Sequence, residues 1–236
     1  RIGTKKSRDS VRVFDGINGE WLAKISIQQE DSRTRRRRDD ERIITALCTR
    51  ELRPQPFAKA QPWLFFAPIK KQRMKLMLEK CTELGVGRFV PILTERTEPS
   101  CVLDMTRNMD KLQAQTVEAS EQCERLTVPS LSLCISDSAE DPWDLRTLLH
   151  EWSTADEFCD KHLLICRERG ANGSVPVLNL LKDIPTVESL AFVVGPEGGW
   201  SRGEEALCDQ YTSSSSNIHA VSLGSLVLRA ETAAIT

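Results

Sequence analysis

Near its carboxyl end the chain carries a glycine-rich loop of a kind that can hold a ligand. The apolar stretch Leu190–Val194 runs into Gly-Pro-Glu-Gly-Gly at 195–199, and Ser201 and Glu204 then show the S-x-x-E spacing of a helix-capping box. Glycines let the backbone approach a ligand and leave its N–H and C=O groups available for contacts. The loop has neither the Gly-Lys-Ser/Thr ending of a phosphate loop nor the glycine spacing of a dinucleotide fingerprint. By itself it indicates either a ligand loop or a tight turn before a capped helix.

A second glycine-centred turn follows another apolar strand. Residues 221–233 read Val-Ser-Leu-Gly-Ser-Leu-Val-Leu-Arg-Ala-Glu-Thr-Ala, with Gly224 in the turn and a helix expected to open near Glu231 and Thr232. In α/β domains, loops at the carboxyl ends of strands form the ligand crevice. We therefore expect the two glycine turns to fold together around one ligand.

Composition excludes several classes of protein. The 236 residues include 32 Lys and Arg against 34 Asp and Glu, a formal charge of −2, so any nucleic-acid contact must come from a local basic face. With 40% hydrophobic and 28% charged residues, the chain has the usage of a folded globular protein. The absence of any apolar run near the ~18 residues of a membrane span predicts a protein that does not enter the membrane.

The eight cysteines and three histidines do not form a metal or disulfide pattern. There is no Cys-x-x-Cys pair, and Cys159 and Cys166 flank His162 without a fourth ligand at zinc spacing. We predict reduced thiols, no metal site, and cysteines at 123, 134 and 208 that fill the core rather than act as nucleophiles. Reduced thiols indicate an intracellular protein, and because the chain starts at Arg1 rather than Met we expect a fragment of it. Its location is the cytoplasm or, if a preceding segment carried a transit peptide, a plastid or mitochondrion.

The larger part of the chain alternates strands and helices. Prolines at 54, 56 and 62 mark a boundary near residues 55–60, so we place the second domain at 58–236. Predicted strands cover 63–67, 89–93, 163–166, 190–194 and the region of 220–223, and predicted helices cover 69–84, 106–125 and 145–152. This order predicts an α/β fold with a largely parallel sheet covered on both faces.

Residue spacing refines some of these elements. Apolar residues from Met74 to Leu84 recur at i, i+3 and i+4, which predicts one buried helix face. In the 106–125 helix, Glu121, Gln122 and Arg125 share a polar arc opposite the apolar one. Pro91 predicts an irregular or edge position in its strand, and the run at 212–216 predicts a flexible loop.

The first 57 residues predict a small β module. Strands are expected at 11–14, 20–27 and 43–48, with a turn at 15–19. The segment 33–42, rich in arginine between acidic residues, is either a solvated loop or an arm that contacts phosphates.

Several motifs together resemble a known family, the RsmE-type ribosomal RNA (uracil-N3)-methyltransferases of the SPOUT superfamily. The matching stretches are EKCTELGV at 79–86, PILTER at 91–96, EASEQCER at 118–125 with Val128-Pro129, GPEGG at 195–199 and LGSLVLRAETA at 223–233. The resemblance covers most of residues 60–236. It implies a SPOUT-type methyltransferase domain whose carboxyl-terminal chain forms a trefoil knot, preceded by a PUA-like β-barrel module at 1–57 that binds RNA.

The resemblance also implies a cofactor and a set of site residues. S-adenosylmethionine, in a bent form, is expected on the two glycine turns. The residues expected to hold it are Val194, Gly195, Pro196, Gly198, Gly199, Ser222, Leu223, Gly224 and Leu228, with Thr232 beside the methyl donor. RNA contacts are expected from Lys70, Arg73, Arg96, Gln122 and Arg125.

Three residues are the candidates for catalysis. Uridine N3 is a weakly acidic imide nitrogen that attacks only after losing its proton, so a base or a stabilising cation is needed. We hypothesise that Arg229 stabilises the anion or holds a phosphate, and that Glu231 or Glu197 takes part in proton removal. The alternative for Arg229 and Glu231 is an ion pair at the helix start without a chemical role.

The leading function is thus methylation of N3 of a uridine in small-subunit, 16S-type ribosomal RNA, with the RNA or the assembled small subunit as partner. By resemblance we also expect a homodimer. The first alternative is an inactive RNA-binding protein that keeps the fold. The second is a small-molecule α/β enzyme, for which no catalytic triad, metal or dinucleotide pattern is present.

Overall fold

The structure, a computed structural model, describes residues 10–29, 42–56, 61–135, 141–168, 173–184 and 190–236. The chain divides into two compact units, residues 1–58 and 59–236. The predicted arginine-rich segment lies outside the described residues, apart from its last residue.

The smaller unit contains an antiparallel sheet of three strands in the order β1-β2-β3. The strands are β1 (Ser10–Phe14), β2 (Glu20–Gln29) and β3 (Arg42–Arg53). Glu20 is buried and accepts hydrogen bonds from Arg12 of β1 and Arg53 of β3. In the strand register Glu20 lies opposite Phe14 of β1 and Arg53 of β3. Its carboxylate therefore links the central strand to both neighbouring strands.

The larger unit is built on a seven-stranded sheet in the order β6-β5-β4-β9-β7-β10-β8. The strands are β4 (Trp63–Phe66), β5 (Arg88–Pro91), β6 (Ser130–Leu131), β7 (His162–Cys166), β8 (Val175–Pro176), β9 (Leu190–Val194) and β10 (Ile218–Ser222). All of the strand pairs in this sheet are parallel. The predicted α/β class with a parallel sheet is confirmed.

Helices connect these strands. They are α1 (Lys71–Glu83), α2 (Pro99–Arg107), α3 (Met109–Gln122), α4 (Leu145–Thr154), α5 (Val177–Leu180), α6 (Arg202–Ser214) and α7 (Ala230–Ile235). No helix among the described residues has both the length and the apolar character to cross a membrane.

Strand alternation sorts the core into two layers. In β4, Phe65 packs with residues of α4 and α6, whereas its neighbours Leu64 and Phe66 pack with residues of α1, α3 and α7. Successive side chains of a strand point to opposite faces, so a continuous apolar run is expected when both faces are covered. On the first face Trp152 stacks on Phe158, with ring centroids 4.4 Å apart.

The predicted single helix over 106–125 is wrong, because the chain forms two helices that meet at Asn108. The Asn108 side-chain amide donates to the carbonyl oxygen of Asp104 at 2.7 Å. An asparagine side chain that bonds nearby backbone in this way competes with helical hydrogen bonds. The second helix ends at Gln122, so Cys123 is exposed rather than in the core, and Arg125 lies beyond the helix.

Two other local predictions are corrected. Thr212, Ser213 and Ser214 belong to α6 and not to a loop. Each hydroxyl donates to the carbonyl four residues earlier, so its polar group is satisfied inside the helix. Leu84 lies one residue past α1 and is exposed, because the buried face ends at Cys81 and Thr82.

Pro91 follows its prediction. It pairs with Phe66 on one side, and on the other side β6 pairs only with Arg88 and Phe89. Its missing N–H therefore breaks no ladder hydrogen bond.

Candidate functional site

The two glycine turns lie around one cavity of about 510 Å³. They follow β9 and β10, which are separated in the sheet only by β7. Parallel strands end at the same edge, so loops that leave their carboxyl ends share a crevice. All nine cofactor candidates from Val194 to Leu228 line the cavity, as do Arg229, Glu197, Arg73 and Arg96.

The first turn depends on the absence of a side chain at Gly195. A Cβ there would lie 2.9 Å from Cε2 of Trp200, whose indole is buried and donates from Nε1 to the Cys166 carbonyl at 3.0 Å. Gly199 has φ +68° and its N–H donates to the Pro196 carbonyl at 3.0 Å, which closes the turn. The backbone at Gly195 therefore packs directly against the buried indole of Trp200.

The predicted capping box is confirmed at the start of α6. The Ser201 hydroxyl accepts from the Glu204 N–H at 3.1 Å, and the Glu204 carboxylate accepts from the Ser201 N–H at 2.8 Å. Both side chains are buried. The glycine loop therefore leads into a helix whose first residue is fixed.

The second turn presents apolar side chains at the cavity. Gly224 has φ +142°, and the Ser222 hydroxyl accepts from its N–H at 3.4 Å. Beyond it Leu226 and Val227 line the cavity while remaining 74% and 70% exposed. Side chains this large and this exposed form one apolar wall of the site.

Charged groups also line the cavity. Arg73 donates from Nη1 to Glu197 Oε1 at 2.7 Å, and its Nε lies 3.6 Å from Glu231 Oε1. Arg96 donates from Nη1 to the Gly198 carbonyl at 2.8 Å. Arg229 is exposed, and among the described residues its side chain pairs with no carboxylate. The proposed ion pair between Arg229 and Glu231 is therefore not formed, since Glu231 faces Arg73.

Some candidates lie away from the cavity. Glu231 and Thr232 are not in its lining, nor are Lys70, Gln122 and Arg125. The roles expected of these residues, beside the methyl donor or in contact with RNA, therefore stay predictions.

Arg125 makes hydrogen bonds within the protein and does not line the cavity. It donates to the Thr82 carbonyl at 2.8 Å, to Gln61 Oε1 at 2.6 Å and to Thr127 Oγ1 at 2.7 Å. Burial lowers the pKa of this guanidinium. It joins the end of α1 to the segments before β4 and β6.

Sequence reasoning missed the residues that β7 contributes. Arg167 and Glu168 follow that strand and line the cavity, and buried Arg167 pairs with Glu205 and with Asp209 at 2.6 Å. The strand itself was predicted, so the residues that follow its carboxyl end could have been named as site candidates. What was absent from the sequence was the position of β7 between β9 and β10.

Burial disfavours the reactive thiolate form of several cysteines. None of the eight is in a disulfide, and Cys134 and Cys208 are buried as predicted. Burial raises the pKa of Cys81, Cys166 and Cys208 to about 12. Among the described residues no three metal-ligating side chains come together.

Comparisons with known proteins agree on one family. Residues 58–236 match the family model described as an RNA methyltransferase domain. The chain is 28% identical over 231 residues to the ribosomal RNA small subunit methyltransferase E of Rickettsia conorii, covering 98% of this chain and 79% of that protein. It is 27% identical over 237 residues to the Synechocystis protein of the same name, covering 99% and 65%.

Solved structures show the same fold. A methyltransferase structure from Legionella pneumophila with bound S-adenosylmethionine is 26% identical, with a TM-score of 0.70, and the match covers 98% of this chain and 81% of that one. The Neisseria gonorrhoeae ribosomal RNA small subunit methyltransferase E, also bound to S-adenosylmethionine, gives 24% identity and a TM-score of 0.68 over 98% and 81%. The chain therefore belongs to the RNA methyltransferase domain family, as an RsmE-type member of the SPOUT superfamily.

Proposed function

We propose that this chain transfers a methyl group from S-adenosylmethionine to N3 of a uridine in small-subunit ribosomal RNA. The single observation that carries the proposal is the shared cavity of the two glycine turns, whose lining also includes arginines and Glu197. The names of the relatives support ribosomal RNA methylation, and the bound cofactor in two related structures supports S-adenosylmethionine. The position N3 comes from the motif resemblance.

The cavity fits such a cofactor. Its volume of about 510 Å³ lies within the ~300–1,000 Å³ typical of ligand sites. Backbone groups of residues 195–199 and 222–224 could hold the adenosine and the amino-acid part, since glycines leave those groups accessible. Apolar Leu223, Leu226 and Leu228 would exclude water from them.

The residues of this chain have to prepare the acceptor. When bound, the cofactor supplies an electrophilic methyl group on sulfur. Glu197 lines the cavity and is our choice to accept the imide proton, since Glu231 is buried and is not part of the lining. Arg229, which is exposed and lines the cavity, holds the anion or an RNA phosphate in this proposal.

The RNA approaches, in this proposal, from the side of Arg96 and Arg229. Lys70 is exposed at the start of α1 and Gln122 at the end of α3, and their RNA contacts stay predictions. The substrate is the free RNA or the assembled small subunit, which implies a compartment with ribosomes. The PUA-like module and the trefoil knot also stay predictions.

A homodimer remains part of the proposal. Leu226 and Val227 are exposed apolar residues on the second glycine turn, where a second copy could cover them. Sedimentation of the wild type and of the Leu226→Asp variant measures this. We expect a dimer that the aspartate weakens, whereas a monomeric wild type contradicts it.

Calorimetry and a methylation assay test the function together. We expect the chain to bind S-adenosylmethionine and not ATP, and to label small-subunit RNA with the cofactor's methyl group. Mass spectrometry of nucleosides then locates the methyl group. Preference for ATP excludes the proposal, RNA binding without cofactor binding indicates an inactive RNA-binding protein, and a methyl group at another atom contradicts N3.

A further inference from the structure

Arg73 occupies a rigid position at the cavity wall. It lies in the first turn of α1, and Met74 and Met77 on the same helix are buried in the core. The thiol of Cys81 donates to the Ala234 carbonyl at 3.3 Å, which links α1 to α7. The Arg73 side chain is 35% exposed and lines the cavity. The Arg73 side chain is therefore accessible to a ligand, and the helix that carries it is packed into the core.

Two carboxylates from different segments hold this guanidinium. Glu197 comes from the first glycine loop and accepts a hydrogen bond from Nη1 at 2.7 Å. Glu231 comes from α7, and its Oε1 lies 3.6 Å from Nε. Arginine carries five N–H donors, and only one of them makes a short bond to these partners. Donors thus remain for a ligand in the cavity.

Glu231 is placed to act through Arg73 and not on a ligand. Its residue surface is 7% exposed, and it is absent from the cavity lining although its neighbours Arg229 and Ala230 are present. Among the described residues, its buried Oε2 has no hydrogen-bond partner. A buried carboxylate is costly without a cation, and Arg73 is the cation that faces it.

We propose that Arg73 is a catalytic residue that stabilises the imide anion of the target base, which leaves Arg229 to hold an RNA phosphate, and that Glu231 is the positioning residue of Arg73. This inference rests on the proposed function. The imide proton passes to the Glu197 carboxylate, and the electron pair of the N–H bond stays on the base, where its charge spreads over N3 and the flanking carbonyl oxygens. A guanidinium matches such planar, adjacent acceptors better than a lysine does.

Steady-state kinetics of Arg73 and Glu231 variants test the assignment. We expect Arg73→Gln to lower kcat by about 100-fold, the effect of removing a transition-state donor, with KM for RNA and Kd for S-adenosylmethionine changed by less than about 3-fold. Arg73→Lys should recover about 10-fold of that loss, because it restores charge without the planar fork. Glu231→Gln should lower kcat by roughly 10-fold.

The double variant separates positioning from independent action. If Glu231 acts through Arg73, the Arg73→Gln/Glu231→Gln variant has the kcat of Arg73→Gln within about 2-fold, since no arginine is left to position. Losses that multiply would overturn the positioning role. Lys75→Gln, an exposed charge removal on the same helix, is the matched control and should keep kcat within about 2-fold.

Salt dependence distinguishes catalysis from RNA binding. If Arg73 only contacts a phosphate, Arg73→Gln raises KM, keeps kcat and reduces the salt slope of RNA binding by about 1, which contradicts the inference. If Arg73→Gln proves unstable in thermal unfolding, Arg73→Lys and Glu231→Gln carry the test. A wild type without methyl transfer would refute the proposed function itself, whereas an active wild type with unaffected Arg73 variants refutes only this inference.

Discussion

The carboxylate of Glu204 accepts the backbone N–H of Glu95 at 2.8 Å, across 109 residues of sequence. Its other oxygen accepts the N–H of Ser201, also at 2.8 Å. The next residue after Glu95 is Arg96, which donates to the Gly198 carbonyl. One buried side chain therefore caps α6 and also anchors the segment that contacts the first glycine loop.

Replacing Glu204 should destabilise the larger unit. We expect Glu204→Ala to lower the free energy of unfolding by about 2 kcal/mol, because a helix cap is lost and two N–H groups lose their acceptor. Urea unfolding measures this. Gln210→Ala, exposed on the same helix, should change the value by less than about 0.5 kcal/mol. Equal effects from the two variants would mean that the cap is not important for stability.

Alanine should be tolerated differently at two glycines of the same loop. At Gly195 the added Cβ would lie 2.9 Å from buried Trp200, whereas at Gly198 it would meet the side-chain carbons of exposed Arg96 at 3.4 Å. We expect Gly195→Ala to lower the free energy of unfolding by roughly 1–3 kcal/mol, since the indole has to move, and Gly198→Ala to cost clearly less. Urea unfolding gives the first comparison, and calorimetry with S-adenosylmethionine shows whether the shifted loop also binds the cofactor more weakly. A larger effect at 198 would contradict the geometry.

Arg125 should contribute to stability more than to RNA binding. Its three side-chain hydrogen bonds to Gln61, Thr82 and Thr127 predict that Arg125→Ala lowers the free energy of unfolding by about 2–3 kcal/mol. Arg107→Ala removes an exposed arginine at the end of α2 and serves as the control. Filter binding at several salt concentrations checks RNA affinity. A reduced salt slope without loss of stability would instead restore Arg125 as an RNA contact.

The small unit should lose stability in acid through Glu20. Hydrogen bonds from Arg12 and Arg53 lower the pKa of Glu20 from 4.5 to about 2. A carboxylate with a lowered folded-state pKa stabilises the fold above pH 4.5, and that contribution is lost as the pH falls toward 2. The protection factors of the β2 amides, which correct for the slower intrinsic exchange in acid, should therefore fall over this range in the wild type and depend less on pH in Glu20→Gln. Glu51→Gln, exposed on β3, should keep the wild-type dependence.

Local sequence patterns determined the elements around the site. The apolar run 190–194, the glycines after it and the S-x-x-E pair predicted β9, its turn and the start of α6, because strand length, turn chemistry and capping depend on neighbouring residues. The helix with buried Met74 and Met77 was found for the same reason. The motif resemblance indicates the family without reference to the fold.

Only the tertiary structure decided which side chains meet. Residue periodicity does not encode the contacts that matter here. These are the hydrogen bond that separates two helices at Asn108, the hydrogen bonds of Arg125 within the protein, and the packing of Trp200 against Gly195. Arg73 contacts both Glu197 and Glu231, and Arg73 and Glu197 are 124 positions apart in the sequence. Such contacts follow from strand order and helix packing, which bring distant segments together, whereas sequence spacing reports only what lies within a few turns of the chain.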